Sequence, residues 1–167
     1  MIDLNPGQRQ NASLFGELMP KPESLIDKTF AEGIALTVEA RNYIAFHEQA
    51  DRRTLDLPGC LHVGYQHTRV SARLIQVMTW LLAMKAYLAH EITREQFISP
   101  QFALAGGDEC TDPSGPELED VPPGLRSLLE RSHRLYIRVQ RLDGMVRKRM
   151  EDEAKDGGKS KNGPPSA

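Results

Sequence analysis

Apolar residues recur at three- and four-residue intervals in three stretches of this chain, and proline, glycine and acidic residues break the intervals between them. The first stretch runs from about Pro22 to Ala50, where Ile26, Phe30, Ile34, Thr37, Ala40 and Ile44 make one stripe of an amphipathic helix. Pro22 suits its first turn, and Ser24 or Asp27 can act as a cap. Gly33 costs such a helix about 1 kcal/mol relative to alanine, so its presence points to close packing. Pro58-Gly59 then punctuates the chain. The second helix is predicted from His62 or Gly64 to Tyr87 or His90. Its Leu74, Val77, Met78, Trp80, Leu81, Met84, Tyr87 and Leu88, joined by Ile75 and Leu82, spread over about two thirds of the circumference at 100° per residue. One neighbouring helix cannot cover that arc. These residues are therefore candidates for both the core and a contact with a second copy, leaving Gln76, Thr79, Ala83 and Ala86 as a narrow small or polar strip. The third helix opens at Pro122-Pro123 and continues to about Met150. Leu125, Leu128, Leu129, Ser132, Leu135, Tyr136, Val139, Leu142 and Val146 form its bundle seam.

The remaining segments carry no sustained period. Residues 1–22 read as a flexible arm, Ile92–Leu104 as a short helix or extended piece, and about 105–121 as a flexible acidic loop rich in glycine and proline. Residues 151–167 lack aromatic and large aliphatic side chains and read as a disordered tail. The expected architecture is all-α: one three-helix bundle over residues 23–150, homodimeric, between disordered termini.

A chain of 167 residues suits one such domain, and with only 6% aromatic residues its core must be built from aliphatic side chains and methionine. The apolar run around Trp80 is tested as a membrane span by length and charge. A span needs about 20 apolar residues, and Gln76, Thr79 and Lys85 interrupt this one. Cys60 and Cys110 lie far apart without a CxxC partner, which excludes a disulfide framework and a structural zinc site. The N-terminal residues show no basic segment followed by an apolar run, so the expected location is the cytoplasm.

Chemistry-bearing motifs are scarce. Glu130 and His133 have the Glu-x-x-His spacing of di-iron bundles, but such a site needs two of these motifs and two further glutamates. His47, His62, His67 and His90 are scattered over separate segments, and no nucleophile elbow or phosphate loop is present. No catalytic residue, metal ligand or cofactor is assigned, and the protein is read as non-enzymatic. The third helix instead carries Arg126, Arg131, Arg134, Arg138, Arg141, Arg147, Lys148 and Arg149 against only Glu130 and Asp143. Arg134, Arg138 and Arg141, at i, i+4 and i+7, form a stripe beside the apolar seam. Such a stripe can be a solvated face paired with acids of the first helix, a docking surface for an acidic protein, or a DNA-binding face. The chain's net charge of −2 and the absence of a helix-turn-helix, finger or zipper context weigh against DNA.

Three phrases resemble one family. EARNYIA (Glu39–Ala45), RVSARLIQVMTWLLAMKA (Arg69–Ala86) with the HEIT that follows, and VPPGLRSLLERSHRLYIRVQRLD (Val121–Asp143) are similar to the three helices of the alphaproteobacterial RcdA (regulator of CtrA degradation) family. The resemblance covers roughly residues 25–145. It implies a homodimeric three-helix bundle that delivers substrates to the ClpXP protease in cell-cycle-regulated proteolysis, with no catalytic residue of its own. The partners it implies are a second copy, a protease-associated response-regulator-like protein and cargo proteins, and it implies placement at the cell pole. The alternative function from the residues themselves is a DNA-binding or transcription-linked regulator using the arginine-rich third helix.

Overall fold

The computed structural model describes residues 22–117, 119 and 121–159. The arm at 1–21 and the end of the tail at 160–167 lie outside the described residues. Six α-helices follow one another: α1 (Pro22–Phe46), α2 (Glu48–Arg52), α3 (Leu57–Leu88), α4 (Arg94–Ile98), α5 (Gly107–Thr111) and α6 (Pro123–Lys159), with a 3₁₀ turn at Pro100–Phe102. Three of them are long, and the bundle they form is all-α among the described residues.

Four boundaries differ from those predicted. The first helix stops at Phe46, and α2 turns the chain at His47. The Tyr43 hydroxyl donates to Asp51 Oδ2 at 2.5 Å, folding α2 back on α1. Behind it, His67 Nδ1 lies 3.2 Å from Glu48. Burial pushes the His67 pKa below the ordinary 6.5, while the Glu48 carboxylate pulls it up. The second long helix begins at Leu57, before the Pro58-Gly59 pair that reads as a break. The Asp56 side chain accepts from Gly59 N at 2.9 Å, and Pro58 sits in the first turn, where no N–H is needed. The acidic segment is not simply a loop, since it contains α5 and buries Cys110 completely. The last helix continues past Met150 to Lys159, where a disordered tail is expected. Its extension begins with good helix formers, Glu151, Glu153, Ala154 and Lys155, and Arg149 is paired to Glu153 one turn on.

The core stripe of α1 is also displaced by about one residue. Ile26, Thr29, Gly33, Leu36, Ala40 and Tyr43 face inward, and Ile34 and Ile44 are exposed. Gly33 is the cause of the close fit, because a Cβ built there would stand 2.6 Å from Met78 Sδ on α3. A side chain at this position would hold the two helices apart, so the smallest residue marks the contact line.

Pairings along the bundle fix its topology. Asp27 meets Lys85 and Tyr43 meets His67, so α1 and α3 are antiparallel. Glu39–Arg131 and Glu32–Arg138 make α1 and α6 antiparallel too. It follows that α3 and α6 run the same way: Arg73 reaches Leu129, and Trp80 Nε1 donates to Asp143 at 2.6 Å. Neighbouring parallel helices need a long return connection, which residues 89–122 provide.

That connection is tied down by two arginines. Arg69 and Arg73 of α3 are almost wholly buried. Arg69 donates to the carbonyls of Glu109, Asp112 and Ser114 at 3.3, 2.6 and 2.7 Å and meets the Asp112 carboxylate at 3.1 Å. Arg73 donates to the carbonyls of Cys110, Asp112 and Leu129 at 3.0, 2.5 and 3.1 Å. Burial, then the neighbouring Arg69 charge, pull the Arg73 pKa down to about 10. Tyr136 adds a hydroxyl bond to the Ala105 carbonyl at 2.9 Å. Farther along, Phe97 of α4 packs edge-on against Trp80 and stacked on Tyr87, closing the far end of the core.

Two stability outcomes follow from this packing. A Cβ at Gly124 would stand 2.6 Å from the Tyr43 ring, which Asp51 and two histidine rings hold in place, whereas one at Gly144 meets nothing within 4 Å. Gly144→Ala should therefore raise the stability measured by urea unfolding by up to about 1 kcal/mol, the helix-propensity gain. Gly124→Ala should lower stability despite the same gain, and a rise would contradict the contact. Arg73→Lys should cost about 2–3 kcal/mol, since one ammonium cannot reach carbonyls on both the return segment and α6. Amide exchange should quicken first at residues 107–112, and unchanged exchange there would refute the anchoring role.

Candidate protein-docking surfaces

The eight central-helix residues named as core or dimer contacts divide unevenly. Leu74, Val77, Trp80, Leu81, Met84 and Tyr87 are buried within the single chain, and Met78 and Leu88 are half-buried against the same core. They build the scaffold, and the six buried ones present no surface to a second subunit. The reason lies in the return segment: α4 and α5, together with α1 and α6, cover more of α3 than two long helices could. The small or polar strip divides as well, with Thr79 exposed and Ala86 half-buried. Ala83 is buried and Gln76 accepts from Ala105 N at 3.0 Å.

What α3 leaves bare is a different face. Leu61, Tyr65, Thr68, Ala72, Ile75, Thr79, Leu82 and Ala86 follow one another at alternating steps of four and three. Leu61 is 68% exposed, Ile75 62% and Leu82 54%. No charged residue stands in this strip. The cations of α3 are directed elsewhere, Arg69 and Arg73 into the core and Lys85 to Asp27. The spacing is that of a helix–helix seam, and the lack of charge is unusual for a face left to water.

The arginine stripe lies on another helix, α6. Arg134, Arg138 and Arg141 are exposed and line one groove of about 530 Å³ along α6. Leu25, Ile137, Leu142 and Met145 supply its apolar walls. The structure thus brings all three predicted arginines together. They are not equivalent: Arg138 pairs with Glu32 of α1, while Arg134 and Arg141 have no acidic partner among the described residues. His133, on the same rim, is held by the Thr111 carbonyl, 2.8 Å from its Nε2, so the return segment braces the groove from behind. Glu130 is exposed, and among the described residues no three His, Cys, Asp or Glu side chains come together as a metal site.

A second groove, about 560 Å³, lies at the other end of the α1–α6 seam. Val38, Asn42, Tyr43, His47, Asp51 and Leu128 line it, giving it acidic and aromatic character. Burial and the hydrogen bond to Asp51 push the Tyr43 pKa well above the ordinary phenol value, so the hydroxyl stays a donor. No periodicity marks this groove, because its residues come from α1, α2 and α6 and meet only through the Tyr43–Asp51 corner. No helix among the described residues is long and apolar enough to cross a membrane.

Comparison with known proteins fits this geometry. No curated protein matches the chain. The crystal structure of RcdA from Caulobacter crescentus CB15 is similar to it, with 33% identity, a TM-score of 0.56, and coverage of 73% of this chain and 90% of that one. Residues 21–162 match the family described as Protein of unknown function (DUF1465), a span that contains all three long helices. On both grounds the chain belongs to the RcdA family.

Proposed function

We propose that the chain is a non-enzymatic, homodimeric adaptor that delivers substrates to the ClpXP protease in cell-cycle-regulated proteolysis. The observation that carries this reading is the pair of uncommitted arginines, Arg134 and Arg141, over an apolar groove in a member of the RcdA family. An adaptor needs at least two docking faces that do not compete. The arginine groove and the acidic, aromatic groove occupy opposite ends of the α1–α6 seam and differ in charge, so a cargo protein and a protease-associated response-regulator-like protein can be held at once. Tethering them raises the effective concentration of cargo at the protease, and contacts of modest affinity suffice. The cytoplasm, with placement at the cell pole, is the location this role requires.

The second copy fits the uncharged strip of α3. A two-fold axis across that strip would set Leu61, Ile75 and Leu82 of one protomer against the same residues of its partner, covering an apolar face that is otherwise wet. DNA binding fits less well, since Glu32 and Glu39 neutralise two arginines of α6 and would stand beside a phosphate backbone.

Two measurements test the proposal. Sedimentation of the unmodified protein should give a dimer, and Ile75→Asp with Leu82→Asp should give a monomer of unchanged helicity; a stable monomer without substitution would refute the homodimer. Proteome-wide turnover should lengthen the half-lives of a defined set of proteins when the chain is deleted, and re-expression should restore them. Unaltered turnover across the proteome would remove the adaptor reading.

A further inference from the structure

The geometry of the α6 groove points to a more specific ligand, and we propose that it takes a helical segment of a partner protein carrying two carboxylates two turns apart with a large apolar side chain between them. This rests on the adaptor reading, whose cargo or response-regulator-like partner would supply the segment. Arg138, the middle arginine, is occupied by Glu32. Recognition therefore falls to Arg134 and Arg141, which have no acidic partner among the described residues. They are seven positions apart on one helix, about 10.5 Å along its axis. Carboxylates at i and i+7 of a helix laid along the groove have the same separation. Each guanidinium can then take one carboxylate in a forked pair.

Between the two cations the surface is apolar. Ile137 and Leu142 of α6, Leu25 of α1 and the half-exposed Met145 form the floor. Methionine adapts its shape to an incoming side chain, which suits a site that must accept more than one partner sequence. At about 530 Å³ the groove cannot enclose a whole helix, which is about 10–12 Å across with its side chains, so it takes one face of it. A purely acidic stretch would leave this floor wet, and a purely apolar one would leave both arginines unmatched. An amphipathic acidic helix satisfies both. A nucleic-acid backbone does not, because it offers nothing to the floor.

The test uses the full chain and a blocked helical peptide with two glutamates two turns apart and leucine between them, its binding followed by fluorescence anisotropy. A second peptide carries lysine at both glutamate positions. The unmodified protein should prefer the glutamate peptide by about tenfold or more. Arg134→Glu with Arg141→Glu should invert that preference, and Met145→Glu should weaken the glutamate peptide while leaving the fold intact, since its side chain is 44% exposed. An unchanged preference in the doubly reversed variant overturns the proposal, as does displacement of the glutamate peptide by duplex DNA at low salt. If the doubly reversed variant restores protein turnover in deleted cells, the groove is not the docking site although the adaptor reading stands. If the unmodified chain has no effect on turnover, the adaptor reading fails, and the peptide inversion still decides what the groove binds.

Discussion

Two arginines that give up their water for the backbone of another segment hold this bundle closed. Because α3 and α6 run in the same direction, the chain must travel back along the molecule before the third long helix can begin. The returning backbone presents carbonyls toward the core, and unsatisfied buried carbonyls are costly. Arg69 and Arg73 meet four of them, those of Glu109, Cys110, Asp112 and Ser114, and Arg73 adds the Leu129 carbonyl of α6. A buried arginine is itself expensive unless nearly all of its N–H groups are used, and here the returning segment uses them. Each side of the arrangement makes the other tolerable.

The consequences reach both docking faces. With α5 fixed, its Thr111 carbonyl meets His133 and sets the rim of the arginine groove. With the return segment covering one flank of α3 and α1 covering another, the apolar residues around Trp80 are absorbed into the scaffold. The strip of α3 through Leu61, Ile75 and Leu82 stays exposed. Stability and recognition are thereby assigned to different residues of the same two helices. Trp80 and Asp143 hold α3 to α6 from the inside, and Arg134 and Arg141 face outward from α6.

The three long helices were legible because each keeps its period for many turns, and the arginine stripe was legible as three cations on one face. The core register of α1 was harder, because Ile34 and Ile44 outrank Gly33 and Thr29 in hydrophobicity although the latter pair faces inward. Contact distance decided the register there, and contact distance is invisible to a hydrophobic pattern. Pro58-Gly59 misled for a related reason: a proline inside a first turn and a proline between elements look alike until the capping aspartate, Asp56, is weighed with it. The acidic segment hid its order most completely. Its own side chains contribute little to the core beyond Cys110 and Val121, and what fixes it is main-chain bonding to arginines some 40 residues earlier in the chain. The signal that could have found Arg69 and Arg73 as core residues is their placement at i and i+4 on the same side of α3 as Val77 and Trp80.

We propose that self-association and partner capture use separate faces, the outer strip of α3 and the α6 groove. Backbone NMR of the full chain tests it most directly, with one series of spectra recorded on dilution and another on addition of an acidic helical peptide. Dilution should move resonances around Leu61, Ile75 and Leu82, and the peptide should move those from Arg134 to Met145, with little overlap between the two sets. Peptide-induced shifts concentrated on α3, or a single set of residues responding to both, would contradict the account.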